Sequence, residues 1–188
     1  MLLTDPVVLE SAQIRLEPLR HDHADDLRRA RNGLEYAWYT SVPTDVDAEI
    51  SHRLAERDAG RMNPFAVVSG GAAVGMTTFC TIDLASPRVE IGYTWLSPSV
   101  QRTAVNTAAK LLLLTHAFEA CGVIAVQFCT HWHNRQSRAA IERLGAKQDG
   151  VLRNHRVGPD GTLRDTVVYS ILPQEWPAVK RGLQARLD

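Results

Sequence analysis

The sequence predicts an α/β (α+β) fold built on a mixed, mostly antiparallel central sheet with a central parallel strand pair. Three observations carry this. Residues 65–68, 74–82 and 89–96 are rich in Val, Ile, Thr and aromatic side chains and are separated only by turn sequences, which gives three successive antiparallel strands. A helical pattern then separates residues 89–96 from the nearly continuous apolar run 123–129, and a strand, helix, strand succession implies a parallel pair with a right-handed crossover. Two more strands follow, near residues 147–156 and 166–172. At 188 residues and 45% hydrophobic composition the chain has the size of one domain, typically roughly 100 to 200 residues, and residues 1–188 are expected to form a single one.

Residues 14–19 alternate apolar and polar, as a half-buried strand does. Asp22 then offers an N-cap, Leu27 and Ala30 mark a helical face, and Asn32-Gly33 ends it. Residues 34–43 carry Tyr36, Trp38 and Tyr39 before Thr44 or Asp45 starts a second helix with Val46, Ile50 and Leu54 on one face and Gly60 as its stop. Ser69-Gly70-Gly71 makes a hairpin turn, residues 83–87 make the next, and Ser97-Pro98 closes the third strand. After a turn over residues 99–106, residues 107–121 form a helix with Ala108, Leu111, Leu114, Phe118 and Cys121 at helical spacing and Gly122 as terminator. Leu112 and Leu113 give that helix a second apolar side, so it is buried on more than one face. Asn134 caps a further helix with Ala140, Ile141 and Leu144 on its stripe and Gly145 at its end; Gly158-Pro159-Asp160-Gly161 joins the late strands. Trp176, Val179, Leu183 and Leu187 define a closing amphipathic helix.

Composition removes several function classes. Lys plus Arg equals Asp plus Glu at 21 each, so no basic surplus exists to neutralise nucleic-acid phosphates or anionic lipid, and neither is an expected partner. The apolar stretch around residues 111–114 falls far short of the ~20 residues a bilayer span needs, and Asp5 with Pro6 argues against a secretory signal. A cytoplasmic protein is expected. The three cysteines, Cys80, Cys121 and Cys129, are odd in number, lack C-x-x-C spacing and sit in apolar patterns, so they are read as reduced.

The junction from Leu96 to Asn106 carries the functional signal. A buried strand running straight into a helix leaves the first N–H groups of that helix unpaired, a geometry that favours an anion. Gln101, Arg102, Thr103, Ala104, Val105 and Asn106 fill this place with a guanidinium, a hydroxyl and small residues, compatible with a diphosphate on exposed amides. Taken alone, the segment reads equally well as a surface loop with a helix cap.

In this context, Gln101-x-x-Ala104-x-Asn106 resembles the acyl-CoA site of the GNAT superfamily of N-acyltransferases, whose signature is Gln or Arg, two variable residues, Gly, one variable residue, then Gly or Ala. The block from Asn134 through Ser137 and Glu142 to Gly145 resembles the family's N-x-x-S-x-x-x-x-E-x-x-G helix. Gly150-Val151-Leu152-Arg153 and Glu90-Ile91-Gly92-Tyr93 resemble members related to ribosomal-protein alanine acetyltransferases. The likeness covers roughly residues 14–172. It departs from the signature at Asn106, a mild replacement that tolerates a left-handed backbone and can cap a helix, and at Ala104, where the added Cβ is expected to crowd the phosphate or to oppose a positive φ.

This resemblance implies helices on both faces of the sheet and transfer of an acetyl group from acetyl-CoA to a primary amine, on a protein N-terminus or a small molecule, by direct attack in a ternary complex. It implies a coenzyme held by residues 101–106, a pantetheine arm paired with the strand end at Trp95 and Leu96 and touched by Asn134, and a splayed gap beside that strand. A backbone N–H near Tyr93 or Thr94 would face the thioester oxygen. Glu90, a carboxylate between apolar Val89 and Ile91, is the candidate base, the alternative being a solvent-facing group or a pair with Arg88 or Arg153. By resemblance Ser137 is the candidate acid in the first turn of its helix, where a serine or an Asn134 cap serves the backbone equally well. Tyr36, Trp38, Tyr39 and Tyr93 would border the acceptor, or the first three plug the end of the core. His131-Trp132-His133 lacks a third ligand at metal spacing and is read as lining the cleft mouth; no metal is expected. An acyl-cysteine route through Cys129 and His131 has no orienting acid nearby in sequence, and Cys129 lies in a buried-strand pattern. The alternative function is a catalytically weakened acyl-CoA-binding or interaction protein, suggested by Ala104. A homodimer formed on the late edge strands is the expected assembly.

Overall fold

A computed structural model describes residues 2–34, 42–158 and 160–188. Tyr36, Trp38 and Tyr39 lie outside the described residues. Among the described residues, eight strands form one sheet in the order β1-β2-β3-β4-β5-β6-β8-β7. They are β1 (Leu9–Glu10), β2 (Arg15–Pro18), β3 (Met62–Ser69), β4 (Ala72–Asp83), β5 (Arg88–Leu96), β6 (Ala125–His131), β7 (Lys147–Val157) and β8 (Leu163–Ile171). The α-helices are α1 (Ala24–Arg31), α2 (Val46–Asp58), α3 (Ala104–Thr115), α4 (Arg135–Arg143) and α5 (Trp176–Gln184). Neighbouring strands run antiparallel except β5 and β6, the parallel pair that α3 crosses between.

The two-residue period of the strands sorts the core into two layers. Phe65, Val67, Phe79, Val89, Ile91, Val126, Phe128, Val167 and Tyr169 face α3 and α5 through Leu113, Leu114, Trp176, Val179 and Leu183. The intervening positions, Ala66, Met76 and Trp95, face α1 and α2 through Leu27, Ala30 and Ile50. The mixed sheet with helices on both faces is thus the expected architecture. The small strand β1 is too short to leave a periodic signal.

Two helix starts differ from the sequence reading. Asp22 does not cap α1: it sits inside a 3-10 turn, His21–His23, and His23 is the N-cap. The buried His23 ring fixes that turn by accepting the Arg20 N–H at 3.2 Å and by lying 3.6 Å from Glu17. Helix α3 begins at Ala104, three residues before the expected start, because the Thr103 hydroxyl caps it by accepting the Val105 N–H at 3.3 Å. The buried Val105 side chain then joins the core in the first turn. By contrast α2 follows its signals closely: the Asp45 carboxylate accepts the Ala48 N–H at 3.0 Å.

Candidate active site

Strands β5 and β6 pair only over Arg88↔Ala125, Val89↔Val126 and Glu90↔Gln127. Beyond Glu90 they part, and the cause lies in β5. Its register against β4 runs from Thr78↔Gly92 to Met76↔Trp95, so Tyr93 and Thr94 share the place opposite Thr77. Such a bulge bends the strand and re-aims its side chains, and here Tyr93 takes φ +50°. Each face of the bulge is anchored. From α2, Arg53, only 1% exposed, donates to the Tyr93 carbonyl at 3.2 Å, to the Thr78 hydroxyl at 2.8 Å and to Glu49 at 2.7 Å. From α3, Lys110 donates to the Thr94 hydroxyl at 2.9 Å, which also meets the Thr77 hydroxyl at 2.8 Å.

The parted strands open a cavity of about 510 Å³. Its walls are residues 91–96 of β5, the turn residues Gln101, Arg102 and Thr103, the α3 positions Asn106, Thr107 and Lys110, and Phe128 to His131 of β6, closed by Asn134, Ser137 and Arg164. Trp95 contributes to this wall although its ring is buried against α1 and α2. Gly75 lets the strand end approach: a Cβ there would stand 2.2 Å from the Trp95 carbonyl oxygen.

In the turn before α3, Gln101 donates to the Leu96 carbonyl at 2.9 Å and Arg102 adopts φ +61°. Thr103 bonds both ways, donating to the Val100 carbonyl at 2.7 Å while capping α3. The backbone part of the expectation for Ala104 is corrected here, since its φ is not positive. It is the first helical residue, the left-handed backbone belongs to Arg102, and neither Ala104 nor Val105 has its side chain in the cavity wall. Thr103, Asn106, Thr107 and Lys110 face the cavity instead, at the spacing of one helix face.

Across the gap, the buried Asn134 carboxamide accepts the Ser137 N–H at 2.9 Å, which fixes the start of α4 and brings both side chains to the cavity. Glu90 lies just outside the wall. Its carboxylate meets the Thr81 hydroxyl at 3.4 Å and the thiol of Cys129, which does line the cavity. Burial raises the Glu90 pKa, against a hydrogen bond from Cys129 and the charge of Arg156. Neither expected arginine takes it: Arg88 bonds Gln127 at 3.2 Å and Arg153 pairs with Asp165 at 2.5 Å. Burial also pushes the Cys129 thiol up to about 12, which removes its thiolate at neutral pH. The His131 and His133 rings lie 5.5 Å apart, tilted by 32°, and no three candidate metal ligands come together among the described residues. The cysteines are free. Arg53, Lys110 and Gly75 escaped the sequence reading. Lys110 could have been found as the charged member of a polar stripe, with Thr103, Asn106 and Thr107, on an otherwise apolar helix.

Comparison with known proteins agrees with this geometry. The profile of the family described as Acetyltransferase (GNAT) domain matches residues 13–147. A Bacillus subtilis (strain 168) protein named as a ribosomal N-acetyltransferase, YdaF, is 34% identical over 110 residues, 58% of this chain. The match spans 59% of that curated relative's own length. A GCN5-related N-acetyltransferase from Brucella melitensis superposes with a TM-score of 0.88 at 31% identity, over 98% of this chain and 86% of that one. Mycobacterium smegmatis RimJ, solved in complex with CoA-disulfide, superposes with a TM-score of 0.82 at 25% identity, over 97% and 95%. A family profile that runs from before β2 to the first residue of β7, over the bulge, the α3 turn and the Asn134 helix alike, shows that the chain belongs to the GNAT acetyltransferase family.

Proposed function

We propose that the protein is an N-acetyltransferase that moves an acetyl group from acetyl-CoA to a primary amine by direct attack in a ternary complex. The single observation that carries this is the opening of the sheet immediately after Glu90↔Gln127, with the N-terminus of α3 and the strand end Trp95-Leu96 on its walls. The first N–H groups of α3 and the Arg102 guanidinium suit a diphosphate. A pantetheine arm running from there along Leu96 and Trp95 toward the bulge would place the thioester oxygen against the backbone near Tyr93 or Thr94. No metal enters this chemistry.

The proton account then falls to two side chains. The amine nitrogen adds to the thioester carbon, and the proton it sheds passes to Glu90 through water, since that carboxylate stands behind Cys129 rather than in the wall. The C–S bond breaks as the tetrahedral intermediate collapses, the departing thiolate takes a proton from Ser137 at the positive end of α4, and the proton held by Glu90 returns through water to restore the Ser137 hydroxyl. The acceptor is a protein N-terminus or a small-molecule amine, and the name of the ribosomal N-acetyltransferase relative favours a protein amine. The reading includes a cytoplasmic protein and a homodimer formed at β7, the outer strand of the sheet. The weakened-binder alternative drew on Ala104, and a helical Ala104 gives it no support.

The test is release of free thiol from acetyl-CoA across N-terminal peptides, polyamines and aminoglycosides, with product mass to identify the acyl group. Turnover on a peptide N-terminus supports the full reading; tight acetyl-CoA binding without turnover on any acceptor would restore the binder.

A further inference from the structure

Lys110 has no task in the reading above, yet its placement is costly. It is 6% exposed in the middle of α3, where an aliphatic side chain would avoid the desolvation of an ammonium group. Its hydrogen-bond companions are neutral: the Thr94 hydroxyl at 2.9 Å and the Thr77 hydroxyl at 3.5 Å. No carboxylate pairs with it among the described residues. An ammonium carries three N–H groups, and two threonines leave one for the cavity that Lys110 lines. Thr94 belongs to the β5 bulge, so the nitrogen is tied to the same backbone that would face the thioester oxygen.

We propose that Lys110 is a second oxyanion donor, its Nζ bonding the thioester carbonyl oxygen beside the bulge amide. The inference rests on the acyl-transfer reading of this cavity. As the amine lone pair adds to the carbonyl carbon, the C=O π pair moves onto the oxygen, and the ammonium faces the charge formed there. When that pair re-forms C=O the C–S bond breaks, and Lys110 ends the cycle with the proton it began with. A donor held in place in a dry site stabilises such charge without reorganising.

Burial supplies a readable signature by drawing the Lys110 pKa down to about 7. The groups facing it are Thr77 and Cys80 of β4 and Thr94 of β5, and burial pushes the Cys80 thiol up so that it stays neutral. Lys110 is therefore cationic below about 7 and loses its charge above. The acceptor amine must be neutral and gains with rising pH, so kcat should pass through a maximum whose falling limb belongs to Lys110.

Lys110→Met and Lys110→Gln test this by acetyl-CoA calorimetry, thermal melting and pH profiles of kcat and KM. The expected result for Lys110→Met is a loss of about 100-fold in kcat with acetyl-CoA affinity and acceptor KM within about threefold, and a falling limb that disappears. Lys110→Gln, which keeps an N–H without the charge, should lie between, and stands in if the methionine variant fails to fold. Either folded variant with wild-type kcat and an unchanged falling limb overturns the assignment. So does an acetyl group found on Lys110 by mass spectrometry, which would make Nζ a nucleophile. A wild-type protein without turnover on any acceptor overturns the acyl-transfer reading itself, a failure distinct from these.

Discussion

Arg53→Ala probes whether the bulge is held from α2. Arg53 is 1% exposed and gives hydrogen bonds to the Thr78 hydroxyl at 2.8 Å and the Tyr93 carbonyl at 3.2 Å. Truncation orphans the buried Thr78 hydroxyl and the part-buried Tyr93 carbonyl, at about 1–2 kcal/mol each, and removes a large side chain whose space adds about 1–2 kcal/mol. Its third partner weighs little, since the Glu49 side chain is 21% exposed and water can replace the guanidinium. One gain offsets part of this: Nη2 of Arg53 is buried without a hydrogen-bond partner among the described residues. The balance is a loss of about 3–4 kcal/mol. For a chain of this size, each kcal/mol lowers Tm by about 2–4 °C, so calorimetry should show a drop of roughly 6–16 °C. Arg53→Met keeps much of the volume and isolates the polar part, and its Tm should fall between the two. The argument also ties stability to the site. Tyr93 keeps φ +50° while its carbonyl is held, so acetyl-CoA affinity should fall in both variants. An alanine variant melting within about 2 °C of wild type would refute the anchoring account.

Further outcomes follow from other contacts. Gly75→Ala places a Cβ 2.2 Å from the Trp95 oxygen and 2.9 Å from the Leu96 Cα, backbone atoms that cannot step aside singly. Thermal melting should show a loss of about 2–3 kcal/mol, with weaker acetyl-CoA binding because the strand end moves. Asn134→Ala removes the α4 cap, at about 1 kcal/mol, and should raise KM for acetyl-CoA more than it lowers Tm. Glu90→Gln is read by pH: burial raises the wild-type pKa, so folding favours the protonated form and stability is lost as pH rises from the ordinary carboxylate range through the raised value. The glutamine variant cannot ionise, so its Tm relative to wild type should improve from pH 5 to pH 8 while turnover falls.

The sheet was legible because each strand from β3 onward has a turn or helix signal on both sides, and because the parallel pair follows from a strand, helix, strand order alone. The two misplaced helix starts share a cause. At α1 and α3 a tertiary event set the start, His23 burying against Glu17 and Val105 entering the core, where the local sequence offered Asp22 as a cap and placed the first turn of α3 at Thr107. The Asn134 cap is legible because it is local: its carboxamide accepts the N–H of Ser137, three residues on. The cavity shows the same division. Its α3 and α4 walls are sequence-local and were found through the Gln101 and Asn134 motifs. The bulge anchors were not, because Arg53 lies 40 residues from Tyr93 and Lys110 lies 16 from Thr94. In one-dimensional patterning a charged residue on a helix is assigned to solvent, and only the packed sheet shows that these two point inward.

The position of backbone strain in the α3 turn leads to a last prediction. The family signature has glycine where this chain has Ala104, and a glycine is needed where φ is positive or where a Cβ would collide. Ala104 meets neither condition: it opens α3 behind the Thr103 cap and its side chain is exposed outside the cavity wall. The positive φ belongs to Arg102, at +61°, where a side chain costs about 1–2 kcal/mol relative to glycine. Ala104→Gly should therefore lose about 0.5–1 kcal/mol of helix stability and leave acetyl-CoA affinity within about twofold. Arg102→Gly should do the opposite on stability while weakening the coenzyme through the lost guanidinium. If calorimetry instead found Ala104→Gly binding acetyl-CoA about tenfold more tightly, the Cβ at 104 would be meeting the diphosphate after all. The coenzyme would then have to cross the turn nearer the helix axis than the wall formed by Thr103, Asn106 and Thr107 allows.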